Sequence, residues 1–285
     1  MKWLDCEVDK IDDNLYSIQP PKSGNIGLYL SGNAAMLIDS GYSPRRSTSL
    51  IEYIENRFEC RIELLFNTHY HSDHTFGNQS FNCPIMASQA CRDTMLEIVA
   101  SHWAPHEIEK AKQEDPDLVD DWADLKLTPP DVTFDDVKEI DFHGQLIKCM
   151  LVGGHTRDSA IVLFPDKKTA FCGDLVFEGT YPTLLMHDET PQAFIEALSH
   201  LIALDVETII PGHGAVCTKT MVNKMIAYWQ CLQIACRDLV GHGLADDEIV
   251  DEVTRLCHLD EIDFNSVKHN RNINAVLHAL RHDDE

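Results

Sequence analysis

The chain has 285 residues, 44% hydrophobic and 25% charged, with a formal net charge of −24. That length permits one large single-core domain or two smaller ones, and the apolar residues, spread along the whole chain, suffice for a sizeable core with no long polar tract that would point to disorder. The acidity excludes a protein that grips a phosphate backbone through clustered Lys and Arg, whereas it constrains the charge of a small substrate only weakly.

At the N-terminus, Asp5 and Glu7 stand where a signal peptide needs an apolar core, and no uncharged apolar run reaches the roughly 18 to 20 residues that span a bilayer. A cytoplasmic protein with neither membrane nor nucleic acid as partner is expected. Ten cysteines, scattered and without a CxxC pair, are then expected to be free, mostly buried thiols, Cys149 and Cys172 in apolar runs above all.

Along the chain, short β-type runs come first: Asn14 to Ile18, Asn25 to Leu30 and, past a Ser31, Gly32, Asn33 turn, Ala34 to Ile38. After Asp39, Ser40 and Gly41, a helical pattern from about Ser47 to Arg57 sets Leu50, Ile51 and Ile54 on one face. Ile62 to Phe66 reads as a buried strand ending at Asn67 and Thr68, followed by His69, Tyr70, His71, Ser72, Asp73 and His74. Ser88 to Val99 reads as helix. Ser101 to Lys126 is polar, acidic and partly helical, interrupted by Pro105 and Pro116, so residues 92–127 are expected to form an inserted lid.

The β pattern returns with Lys138 to Phe142, Leu146 to Val152, Ile161 to Phe164 and Thr169 to Cys172. A helix from Pro191 to Leu204, capped by Thr190, leads into the strand Thr208 to Ile210 and then to Pro211, Gly212, His213 and Gly214. From Lys219 to Arg281 three helices are expected, separated near Gly241 to Gly243 and Leu259 to Phe264. Two β-rich halves, each flanked by helices, point to an α/β chain built as an αββα sandwich of two mixed β-sheets with helices on the outer faces.

The chemistry concentrates at strand ends. Imidazole and carboxylate are the usual ligands of borderline metals such as zinc, and His69, His71, Asp73 and His74 supply four within six residues. A separation of two lets the rings of His69 and His71 converge on one ion, while Asp73 and His74 can face a second, so the spacing favours a binuclear site. Distant donors follow other predicted strands: His155 after Gly153 and Gly154, Asp174 after Gly173, and His213 between Gly212 and Gly214. Glycine beside a ligand permits close backbone approach.

These segments, in this order, resemble the metallo-β-lactamase superfamily over roughly Asn14 to Gly214. Its HxHxDH signature is matched by His69, His71, Asp73 and His74; Asp39 in "MLIDSG", His155 in "GGHTRDS", Asp174 in "FCGDLVF" and His213 in "IPGHG" match its other motifs. The resemblance implies that His69, His71 and His155 hold one metal, that Asp73, His74 and His213 hold another, that Asp174 bridges them, and that Asp39 supports the HxHxDH loop by hydrogen bonds. Enzymes of the family that hydrolyse β-lactams with two zincs often carry Cys where this chain has Asp174, which in that respect resembles the glyoxalase II, lactonase and nuclease branches. Residues 1–218 would be the catalytic domain and 219–285 a helical extension packed on it.

The function implied is a zinc-dependent hydrolase with two zinc ions per chain, iron or manganese being alternatives. A metal-bridging hydroxide would attack a small-molecule ester, thioester, lactone or amide, with Asp73 orienting it and shuttling its proton. The competing functions are an iron-dependent sulfur or oxygen redox enzyme and a metal-binding protein without turnover. His187, Tyr181 and Arg157, beside the predicted metal loops, are candidates for substrate contact against the plainer account of loop packing. His102, His106, Trp103, Trp122 and Trp229 are expected to be surface or packing residues.

Overall fold

Apolar side chains that alternate along short strands build the N-terminal sheet. The structure, a computed structural model, describes residues 1–99, 103–116, 118–184, 189–259, 262 and 265–282. The chain divides into two compact units, Met1–Leu151 with Ala160–Asp166, and Val152–Ser159 with Lys167–Glu285.

In the first unit eight strands pair in chain order: β1 (Lys2–Trp3), β2 (Cys6–Lys10), β3 (Leu15–Gln19), β4 (Ile26–Ser31), β5 (Ala34–Ile38), β6 (Arg61–Phe66), β7 (Ile85–Ser88) and β8 (Val132–Phe134). Pairing is antiparallel as far as β5 and parallel from there to β8. Short turns suffice for the hairpins, whereas helix α1 (Pro44–Phe58) makes the crossover from β5 to β6 that a parallel pair requires. Ile26 and Leu28 of β4, Ala35 and Leu37 of β5 and Leu65 of β6 share a cluster with Leu50 and Ile54 of α1 and with Trp3, Cys6 and Val8 of the N-terminal hairpin. Tyr29, out of phase with that set, meets Phe142 and Phe164 at ring-centroid distances of 6.1 and 5.2 Å. Those rings belong to β9 (Val137–Phe142) and β11 (Ala160–Phe164), which flank β10 (Gln145–Leu151) in an antiparallel ladder.

Helix α1 starts earlier than its apolar pattern, because Ser43 caps it by accepting from Arg46 N and Pro44 occupies its first turn. Next come α2 (Ser72–Thr75), α3 (Gln89–Val99), α4 (Pro105–Glu114) and α5 (Leu118–Asp121). The segment expected to be a lid contributes Ile108 and Trp122 to a cluster with Phe76, against which Tyr42 and Trp103 pack. Trp103 and Trp122 thus serve packing, as expected.

In the second unit β12 (Thr169–Phe171) and β13 (Thr208–Ile210) pair in parallel, with α6 (Pro191–Ala203) between them in sequence. Three helices follow, α7 (Lys219–Gly241), α8 (Asp246–Leu256) and α9 (Ser266–His282). Trp229 of α7 packs on Phe194 of α6 with ring centroids 5.2 Å apart. The expectation of free thiols fails at one pair: Cys231 on α7 and Cys257, just past α8, form a disulfide. Which cysteines pair is set by how the helices fold back on each other, and no local spacing encodes it. Cys149 and Cys172 are free and buried, as expected. Among the described residues no helix is long and apolar enough to cross a membrane.

Candidate metal centre

Parallel neighbours deliver two loops to the same sheet edge. Strands β5 and β6 are in register at Ile38 and Phe66, and Asp39 N donates to Phe66 O at 2.7 Å, so Asp39 and the segment from Asn67 to His74 leave the sheet side by side. Asp39 takes a left-handed conformation, φ 63°, which an aspartate tolerates better than most residues. Its carboxylate accepts from Thr68 N at 2.7 Å and from Thr68 Oγ1 at 2.8 Å, and its Oδ2 lies 2.8 Å from His74 Nδ1.

Those bonds settle which ring nitrogens carry protons. His74 Nδ1 faces a carboxylate oxygen, so it bears a hydrogen, and in the neutral ring Nε2 is then the lone pair. The hydroxyl proton of Thr68 goes to Asp39; Thr68 Oγ1, 3.1 Å from His69 Nδ1, therefore accepts from it, and in the neutral ring His69 Nε2 is likewise the lone pair. That atom lies 3.0 Å from His71 Nδ1, and His74 Nε2 lies 3.7 Å from Asp73 Oδ2. His69 and His74 are wholly buried, while His71 and Asp73 are half-buried. The loop is braced from behind: Asn67 and Asn78 exchange side-chain amide bonds of 3.0 and 2.8 Å, and Ser40 Oγ donates to Asn78 Oδ1 at 2.7 Å. From upstream, Gly24 N and Ser23 Oγ donate to Asp73 O at 3.3 and 3.0 Å. A methyl group on Gly24 would overlap the His74 ring, so that approach requires glycine.

The second unit assembles its three donors around one carboxylate. His155 Nδ1 donates to Thr183 O at 2.6 Å, so that in the neutral ring the lone pair sits on Nε2, 3.6 Å from Asp174 Oδ2. The other oxygen, Asp174 Oδ1, lies 3.3 Å from His213 Nε2. A single carboxylate thus offers one oxygen to each imidazole. Gly212 has to be glycine, because a methyl group there would fall on the Asp174 carboxylate. Phe177 backs His213 with its ring parallel, centroids 5.6 Å apart, and Glu178 N donates to His213 O at 2.9 Å.

In each unit, therefore, imidazole nitrogens and carboxylate oxygens, buried or half-buried, approach one another at separations of 3.0 to 3.7 Å. Donor atoms bound to one tetrahedral zinc at its usual bond lengths lie about 3.3 Å apart. Imidazoles, with the second nitrogen anchored in His69, His74 and His155, together with carboxylates, are a donor set that fits borderline divalent ions. Each of the seven predicted donors stands in one of these two sets.

The other sequence candidates divide. Tyr181 is buried, its hydroxyl accepting from Leu259 N at 3.1 Å, so it packs a loop, and Arg157 is exposed. His106 is exposed beside Glu107, while His102 and His187 lie outside the described residues. Not foreseen were Gly24, Thr68, Thr183 and the Asn67 and Asn78 pair. Thr183 acts through its backbone carbonyl, a group every residue has, so no side-chain pattern announces it.

A profile of the metallo-beta-lactamase superfamily matches residues 20–213. Hydroxyacylglutathione hydrolase of Synechococcus sp. (strain JA-3-3Ab) is 26% identical over 149 residues, 52% of this chain and 48% of that one, so the chain spans about half that relative's length. A beta-lactamase-like protein 2 homolog of Caenorhabditis elegans is 23% identical over 263 residues, covering 89% of this chain and 79% of its own. Among solved structures, a metallo-beta-lactamase from Pontibacter korlensis gives a TM-score of 0.63 at 20% identity, covering 79% of this chain and 99% of that one. A stereoselective inverting sec-alkylsulfatase from Pseudomonas sp. gives 0.75 at 14% identity, covering 97% of this chain and 50% of that one. At such identities the structural likeness carries the fold alone, an α/β architecture of two mixed sheets with helices, as expected from the sequence.

Proposed function

The chain belongs to the metallo-beta-lactamase superfamily, and from that membership we propose a hydrolase that uses two zinc ions to cleave a small-molecule ester, thioester, lactone or amide. Membership and the His and Asp donor sets together support a metal-dependent hydrolase. We assign His69, His71 and His155 to one ion, Asp73, His74 and His213 to the other, and Asp174 to both. The observation that carries the proposal is the split carboxylate of Asp174, one oxygen toward His155 and the other toward His213.

When bound, two such ions would lower the pKa of a water to near neutral and polarise the bond to be cleaved. The chain's own residues supply the rest. Asp39, Thr68 and the Thr183 carbonyl keep the ring protons on Nδ1, so that each Nε2 stays a donor of electrons. Asp73, with its side chain partly open, accepts the proton of the attacking water, and the same proton then leaves with the departing group.

The partner is a small molecule, with neither nucleic acid nor membrane involved, and residues 92–127 act as a lid on a catalytic domain of residues 1–218. A cytoplasmic location belongs to the same proposal. The Cys231–Cys257 disulfide is there the exception beside eight free cysteines. The test is to quantify metal in purified protein, then to screen thioester, lactone, phosphodiester and β-lactam substrates with and without chelator. Chelator-sensitive hydrolysis is expected, lost in His71→Ala and Asp174→Ala; turnover at the parent rate in both variants would show that the assignment is wrong.

A further inference from the structure

None of the seven donors lies on the C-terminal helices, yet α9 reaches the supports of two of them. Asn272, on α9, is wholly buried. Its Nδ2 donates to Pro182 O at 2.9 Å and its Oδ1 accepts from Leu184 N at 3.4 Å. These two backbone groups bracket Thr183, whose carbonyl accepts from His155 Nδ1. A peptide segment held on both sides of one carbonyl cannot easily turn that carbonyl away, so the amide of Asn272 fixes the acceptor and, through it, the ring. The amide is itself locked. Asn272 Nδ2 also donates to the Tyr228 hydroxyl at 3.2 Å, and that hydroxyl is hydrogen-bonded in turn to His269 Nδ1 at 2.8 Å.

One helical turn earlier, Lys268 Nζ donates to Thr180 Oγ1 at 3.2 Å and to Tyr181 O at 3.4 Å, and it lies 5.3 Å from the centroid of Phe177. Phe177 is the ring stacked parallel to His213. Residues four apart share a helix face, so one face of α9 grips both ends of the 177–184 strip. That strip contains no helix, and loop-borne ligands depend on the groups that support them.

We propose that α9 sets the orientation of His155 and His213, with Asn272 and Lys268 as positioning residues; this rests on the assignment of both imidazoles as metal ligands. The effect belongs in metal binding rather than in chemistry, so it is visible without substrate.

The test uses the full chain with zinc or cobalt(II) alone. Stepwise zinc dissociation constants from chelator competition, and the visible spectrum of the cobalt(II) protein, are compared for the parent, Asn272→Leu, Lys268→Met and Val276→Ala. Val276 is buried on α9 but does not touch the strip through a hydrogen bond or ion, so its truncation reports general loosening of the helix. Asn272→Leu is expected to weaken one zinc constant about tenfold and to alter the cobalt bands, and Lys268→Met to weaken a constant about threefold. Val276→Ala should lower the melting temperature and leave both constants in place. The proposal is overturned if the constants and spectra of Asn272→Leu and Lys268→Met match the parent, or if Val276→Ala weakens binding as much as they do. Should Asn272→Leu fail to fold, Lys268→Met, at a half-buried position near the start of the helix, decides the matter. A parent chain that binds no zinc refutes the metal assignment itself, an outcome distinct from a parent that binds two ions and variants that do the same.

Discussion

The carboxylate of Asp39 fixes the proton positions of two imidazoles at once, directly at His74 and through Thr68 at His69. Asparagine there keeps the shape but sets an amide N–H against donors, so Asp39→Asn is expected to weaken zinc binding by about 10- to 100-fold while circular dichroism stays that of the parent. Parent-like affinity in that variant would remove Asp39 from the centre. At this scale the sequence discloses what is written in side-chain chemistry: HYHSDH at a strand end, and three donors flanked by glycine. It conceals what acts by other means. Gly24 works by lacking a side chain, Thr183 by its carbonyl, and Asn272 across a sequence separation of 90 residues from Pro182.

Helices were readable where caps and apolar periodicity coincide, as in α6, with Thr190 accepting from Ala193 N and Phe194, Leu198 and Leu201 buried along one face. Strands β1, β2, β7 and β8 were not foreseen. A segment such as Ile85–Ser88 or Val132–Phe134 is too short to show a period of two, and it becomes a strand by pairing with a neighbour distant in sequence. Helix α9 carries a titratable group with a consequence of its own. His269 is wholly buried beside Tyr228, Tyr181 and Asn272; burial in the first place, then the nearby His258, lowers its pKa to about 4. An unfolded chain takes up that proton near pH 6.5, the folded one only near 4, so the contribution is intact above about pH 6.5 and lost as pH falls toward 4. Urea midpoints should therefore decline across that window in the parent and decline less in His269→Gln; equal slopes would contradict the account.

For the whole molecule, the sequence motifs run from Asn14 to Gly214 and the superfamily profile covers residues 20–213, so the part of the fold that carries the donors is also the part that local patterns describe. The remainder, α7 to α9 with the Cys231–Cys257 bond, resisted reading beyond its helical periodicity, because its tie to the strip at 177–184 and its disulfide are both long-range. The central claim is that seven donors from distant segments hold two ions. Anomalous diffraction at the zinc edge, from crystals grown with zinc, tests it most directly. Two peaks are predicted, one bound by His69, His71 and His155, the other by Asp73, His74 and His213, with Asp174 touching both; no peak at these residues, or His155, Asp174 and His213 turned away from any ion, would contradict it.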